Sequence, residues 1–173
     1  MRLRWMVLFV VLVGAPALSQ PVATAIVAGQ AIGPVQIGMP MDEAAGIARM
    51  YGPVRDENTE DGRRLCNSEP NIGVCVYDYY RYGQDQDPTK TPGRVLAVAT
   101  DDPRFRLPGG LGVGSAMLDV LRLVGTNPQF VLVEADSEVP VLLEWTSRGL
   151  LVGIRQGRAG AEVGFILVFR PRP

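Results

Sequence analysis

Residues able to carry chemistry are scarce in this chain of 173 residues, which contains two cysteines, one lysine and no histidine. Without an imidazole the commonest general base is missing, and a thiol that becomes oxidised is no longer a nucleophile. A serine and lysine pair would have to recruit Lys90, which lies in a Pro-rich stretch with no serine nearby in sequence. Paired carboxylates are what is left. Asp85 and Asp87 in QDQDP, and the adjacent Asp101 and Asp102, have the side chains for acid/base work or for a calcium ligand set. Asp beside Pro is equally the chemistry of turns, and the spacing of a calcium loop is absent. These four are therefore expected in solvated turns. No catalytic residue, metal site or cofactor is assigned.

Cys66 and Cys75 flank NSEPNIGV, a run of turn formers, with Arg63 to Cys66 and Val74 to Tyr82 reading as extended on either side. Two thiols in a chain without histidine cannot complete a typical zinc tetrahedron. A disulfide that staples a hairpin is the expectation, contributing ~2 to 3 kcal/mol by restricting the unfolded chain. It requires an oxidising compartment, and the first residues supply one. MRLRWMVLFVVLVGAPALSQ opens with Arg2 and Arg4, runs apolar from Trp5 to Val13 and turns small and polar at Ala17-Leu18-Ser19, the pattern of a secretory signal over residues 1–19. The apolar run falls short of the about 20 residues that span a bilayer. Cleavage after Ser19 is preferred and after Ala25 is the second choice; no cysteine stands near either to carry a lipid. The processed protein is thus expected to be soluble, periplasmic or secreted, without stable membrane insertion. Loss of Arg2 and Arg4 leaves 15 of the 17 basic residues against 18 acidic ones, a net charge near -3 that gives nucleic acid no footing.

The run VYDYYRY, Val76 to Tyr82, is the strongest candidate for a working surface. Strand alternation sends Tyr77 and Tyr79 to one face and Tyr80 and Tyr82 to the other, so one pair is less buried unless both faces are covered. Large rigid rings make good interface anchors, whereas the plainer role is that tyrosines are ordinary strand formers. Asp78, Tyr79, Tyr80 and Tyr82 are taken as protein-binding candidates. Trp145 shares a face with Leu143 and is expected in the core. Arg104, Phe105 and Arg106 belong to a connector anchored by Phe105.

The elements that position these residues are written twice. IGPVQIGMPMDEAAGIARMYG, Ile32 to Gly52, is echoed by PGGLGVGSAMLDVLRLVG, Pro108 to Gly125, at a shift of 76 positions that carries Gly38 to Gly114 and Met41, Ala44, Ala45 and Ala48 to Met117, Val120, Leu121 and Val124. The spacing i, i+3, i+4, i+7 traces one apolar helical stripe in each copy. Pro40 suits a first helical position and Ser115 an N-cap, while Gly52 and Gly125 stand where left-handed residues end helices. The second helix reads as three residues shorter. Strands follow both: the stapled hairpin and Arg94 to Thr100 after the first, then FVLVE, VLLEWTS, LLVGIR and FILVFR after the second. Helices of about 10 to 12 residues are marginal alone and must lie on a sheet. The fold class is α+β, as two tandem repeats at 26–104 and 105–173, each a short helix on an antiparallel sheet of about three to four strands.

IGMPMDEAAGIARMYG followed by a hairpin, then VGSAMLDVLRLVG followed by a meander, resembles the tandem layout of secreted β-lactamase inhibitor proteins. One repeat at a time, it is also similar to the small lipoproteins of the outer-membrane assembly machinery, although no lipid-bearing cysteine is present. The resemblance implies protein-binding modules whose sheet offers a concave face to a partner. Asp78-Tyr79-Tyr80 resembles a run that such inhibitors place on a loop entering the target enzyme; here it lies on an expected strand, and the second repeat has no cysteines. The expected function is non-catalytic binding of another protein, as inhibitor or envelope scaffold. A small-molecule receptor with a pocket between the repeats is the alternative.

Overall fold

The computed structural model describes residues 24–67, 73–80, 89–90, 92–133 and 138–172. In chain order the elements are Ile26–Val27 (β1), Ala31–Ile32 (β2), Val35–Gln36 (β3), helix Met41–Ala48 (α1), Val54–Asn58 (β4), Arg63–Asn67 (β5), Val74–Tyr77 (β6), Tyr79–Tyr80 (β7), Thr89–Lys90 (β8) and Ala97–Thr100 (β9). After a connector come helix Met117–Val124 (α2), Gln129–Leu132 (β10), Val141–Trp145 (β11), Leu150–Gly157 (β12) and Gly160–Phe169 (β13). This is an α+β molecule: two helices and a large antiparallel sheet whose described strands run in the order β10-β11-β12-β13-β9-β6-β5-β4. Strands β1 to β3 make a separate ribbon, and β7 pairs with β8.

Each helix is followed by four strands of the large sheet, and the last of each set, β9 and β13, pair with each other at its centre. One cross-strand row passes through every strand: Arg55, Cys66, Cys75, Ala99, Leu167, Leu151, Glu144 and Gln129. Cys66 and Cys75 are directly opposite one another in it, with Cα atoms 4.1 Å apart, and form the expected disulfide. No helix among the described residues is long and apolar enough to cross a membrane.

Both helices use the predicted stripe. Met41, Ala44, Ala45 and Ala48 are buried, as are Val120 and Val124, with Met117 and Leu121 half-buried beside them. They cover Leu65, Val76, Val98, Leu143, Val152, Ile166 and Val168 on one face of the sheet. Each large apolar side chain so buried contributes roughly 1.5 to 3 kcal/mol.

The segments leading into the helices are bonded alike. Gly38 N–H donates to Val95 O at 2.7 Å and Val95 N–H returns a bond to Met39 O at 2.9 Å; Gly114 N–H donates to Val163 O at 2.9 Å and Val163 N–H to Ser115 O at 2.9 Å. Bridges Pro40–Arg94 and Ala116–Glu162 complete the two attachments.

The helix ends differ from expectation in four ways. Pro40 occupies the N-cap rather than the first helical position, with an extended ψ of 138°. Ala116, not Ser115, is the second N-cap, because the Ser115 hydroxyl is engaged in accepting the Gly112 N–H at 3.0 Å. Both helices have eight residues; the extra length at the first is a 3-10 turn, Arg49–Tyr51, which tightens the chain as it leaves α1. The exits at Gly52 (φ 145°, ψ -179°) and Gly125 (φ 118°, ψ 159°) lie in the mirror-extended region, closed to residues with a Cβ, rather than in the left-handed helical one.

Two stability measurements follow. Val120→Ala, at a position with no exposed surface, lowers the unfolding free energy by about 2 kcal/mol, whereas Leu118→Ala, two residues away and 59% exposed, changes it by under about 0.5 kcal/mol in urea titrations. Replacing Cys66 and Cys75 together by serine costs about 2 to 3 kcal/mol, and reductant then no longer shifts the midpoint.

Candidate functional site

Strand β6 ends at Tyr77 because Asp78 bends out of the ladder. Its Oδ1 accepts the Arg63 N–H at 2.7 Å while its own N–H donates to Arg63 O at 3.1 Å, so the carboxylate occupies a place that a regular strand would give to backbone. The opposing turn must be Gly62, since a Cβ there would collide with Asp78 Oδ1 and the Tyr79 ring. One residue is thereby lost from the alternation. Tyr77, Tyr79 and Tyr80 all border one cavity of about 210 Å³, together with Asp61, Arg64, Ala97 and Leu167.

This corrects the sequence expectation of an open strand surface. Asp78 and Tyr80 are buried, at 5% and 3% exposure, and hold the site together from below. Tyr77 and Tyr79 are half-buried and stand edge to face, centroids 5.5 Å apart. Tyr82 lies outside the described residues, as do Asp85 and Asp87. Arg64 is fixed at the cavity wall by Glu57, its Nε donating to Oε2 at 2.6 Å, and that bond draws the Glu57 carboxyl below its usual range. Arg63 does the same one residue earlier, bonding Asp56 at 2.7 and 2.9 Å and reaching Asp42 on α1 at 3.0 Å.

Beneath the cavity lies a cluster that sequence reasoning missed. Tyr80 stacks on Phe169 with centroids 4.1 Å apart, and the Arg172 guanidinium carbon sits 5.2 Å from the centre of the same ring. Glu144 is 1% exposed; Oε1 accepts from Thr146 Oγ1 at 3.1 Å and lies 3.6 Å from Arg172 Nη2. Burial pushes the Glu144 carboxyl above its usual range, and bonds from Tyr80 and Thr146 together with the Arg172 charge pull only part of the way back. Burial first, and Glu144 next, drive the Tyr80 phenol far above its ordinary value. Tyr80 therefore stays neutral. The available signal was the glutamate inside VLLEW: alternation places it on the face opposite Leu143 and Trp145, among apolar residues.

The remaining candidates divide. Asp102, expected in a solvated turn, is 2% exposed because Arg104 closes over it with bonds from its backbone N–H (2.8 Å), Nε (2.9 and 3.1 Å) and Nη2 (2.6 Å). Burial opposes ionisation there, yet the Arg104 bonds prevail and hold the carboxyl below its usual range. Asp101 is exposed and accepts the Gly73 N–H at 3.1 Å. Phe105 anchors the connector, 1% exposed and 5.5 Å from the Tyr51 ring. Trp145 lies in the helix-side core with Leu143, its indole N–H donating to Gly125 O at 3.2 Å. Among the described residues no group of three or more acidic or cysteine side chains is placed to hold a metal.

The fold is shared with a solved structure. The crystal structure of the uncharacterized protein YfeY from Escherichia coli is similar at a TM-score of 0.54 and 15% sequence identity, over 83% of this chain and 99% of that one. No family model matches the chain, and no curated protein does. At that identity the likeness is one of fold alone.

Because the folded Glu144 carboxyl titrates above its ordinary value of 4.5, its contribution to stability is complete below that pH and is lost as pH rises through the folded value. Glu144→Gln removes this dependence. Urea unfolding from about pH 4 to about pH 7 shows wild type losing stability relative to the variant; a constant difference would contradict the assigned burial.

Proposed function

We propose that the protein is an exported, non-catalytic module that binds another protein through the tyrosine-walled cavity on the sheet face opposite the helices. The observation that carries this reading is the cavity's size and lining. About 210 Å³ is below the roughly 300 to 1,000 Å³ of small-molecule sites and suits one side chain of a partner. Its walls are rigid aromatic rings with Arg64 and Asp61, the composition of an interface anchor point. The strongly held carboxylates Asp102 and Glu57 are ion-paired, which supports a binding rather than a catalytic role.

The alternative, a small-molecule receptor, is favoured by position. Ala97 and Leu167 belong to β9 and β13, so the cavity straddles the junction between 26–104 and 105–173. The matched bonds of Gly38 and Gly114, and the exchange of β9 for β13 about the Ala99–Leu167 pair, support reading these segments as two copies of one unit. Their kinship to inhibitor or envelope-scaffold repeats belongs to the same proposal. Export rests on the charged and apolar start and on the disulfide. Processing after Ser19 rather than Ala25 keeps the Thr24 and Ala25 carbonyls, which accept the Arg106 N–H at 2.9 Å and the Gly33 N–H at 2.8 Å.

Capture from the envelope fraction of the producing organism tests the surface. Tyr79→Ala and Arg64→Ala weaken retention of a partner about tenfold or more while leaving the melting midpoint near wild type. Retention equal to wild type by both variants rejects this cavity, and a small molecule co-purifying with wild type but not with Tyr79→Ala selects the alternative.

A further inference from the structure

The two edges of the large sheet occupy matched places and are built in opposite ways. Counting rungs outward from the central Ala99–Leu167 pair, the row Val98, Val76, Leu65 ends at Asp56 on β4, and the row Ile166, Val152, Leu143 ends at Phe130 on β10. Two residues further on, Asn58 corresponds to Leu132. On β4 these edge positions are polar and Asp56 is tied to Arg63, the charged protection that keeps edges from pairing. On β10 they are phenylalanine and leucine, 59% and 80% exposed, followed by Val133 at 38%. The helix-side face of this edge is an apolar strip.

Its backbone is equally open. Val133 N–H donates inward to Pro140 O at 3.0 Å, so by strand alternation the N–H and C=O groups of Phe130 and Leu132 point away from β11. Among the described residues β10 has a neighbouring strand on one side only. Thr126 to Val133, TNPQFVLV, contains no charge.

We propose that β10 pairs antiparallel with β10 of a second copy of this chain, joining two sheets across a two-fold axis at Val131. In that register Phe130 stands opposite Leu132 of the second copy, twice, and both pairs are hydrogen-bonded through the outward groups. The exposed ring and the exposed leucine then cover each other on one face. Charge agrees with self-pairing: the uncharged run from Thr126 to Val133 brings no like charges together when it meets its own copy. A charged or strongly polar peptide would not match this strip, whereas an identical strand does. The edge lies beyond β11 and β12 from the tyrosine cavity, so the pairing is independent of the partner proposed above.

Sedimentation of the purified protein through a dilution series tests it. Wild type is a reversible dimer, and Leu132→Lys, at an 80% exposed site, weakens dimerisation at least about tenfold without lowering the melting midpoint of the monomer. Val131→Cys adds a readout of register: at a non-hydrogen-bonded pair on the axis the two Cα atoms approach to about 4.5 Å, and the variant forms an interchain disulfide released by reductant. A wild type that stays monomeric at every concentration, a dimer indifferent to Leu132→Lys, or a dimer that Val131→Cys does not cross-link would each overturn the proposal.

Discussion

The pairing of β9 with β13 is the contact on which the rest of the molecule depends. It joins strands that end two separate runs of the chain, at Ala97–Thr100 and Gly160–Phe169, and without it the large sheet would be two four-stranded sheets. Its neighbours inherit their register. Val95 and Val163, just before or within those strands, hold the segments that lead into α1 and α2, so helix placement is set from the centre of the sheet. The apolar stripe of each helix then finds its rung because the attachment has already fixed where the helix begins.

The row through Ala99 and Leu167 shows how the two sides meet the same demand with different chemistry. Moving outward from the centre on one side it reaches Cys75 and Cys66; on the other it reaches Leu151 and Glu144. The first side is closed by a covalent bond. The second holds a carboxyl among Thr146, Arg172 and Tyr80, which a low-dielectric setting penalises when ionised and which those partners only partly relieve. A disulfide constrains the unfolded chain and is indifferent to pH, whereas the carboxyl makes folding respond to it.

Much of this architecture was legible in the sequence because it is periodic. The stripe from Met41 to Ala48 and its echo from Met117 to Val124 need only the helical repeat, and Trp145 with Leu143 needs only alternation. The disulfide followed from turn formers between extended runs. What escaped was whatever depends on a single residue stepping out of its period. Asp78 replaces a backbone group with its side chain and so turns three tyrosines toward one cavity, which no alternation rule anticipates. Asp102 looked like a turn carboxylate and became a buried one because Arg104 lies two residues away and folds back onto it. Ser115 resembled a helix cap, but its hydroxyl was taken by Gly112. The central pairing itself joins positions about seventy residues apart, and local pattern carries no information about it.

Strand order in space and strand order in time are therefore inverted. The middle of the sheet, not its rim, is completed by the described strand nearest the C-terminus, and closing it requires a long excursion of chain whose entropy must be lost before the hydrogen bonds form. A truncation that removed Gly160–Phe169 would not trim the molecule but cleave it through its axis, leaving two unpaired inner strands, β9 and β12, exposed to aggregation.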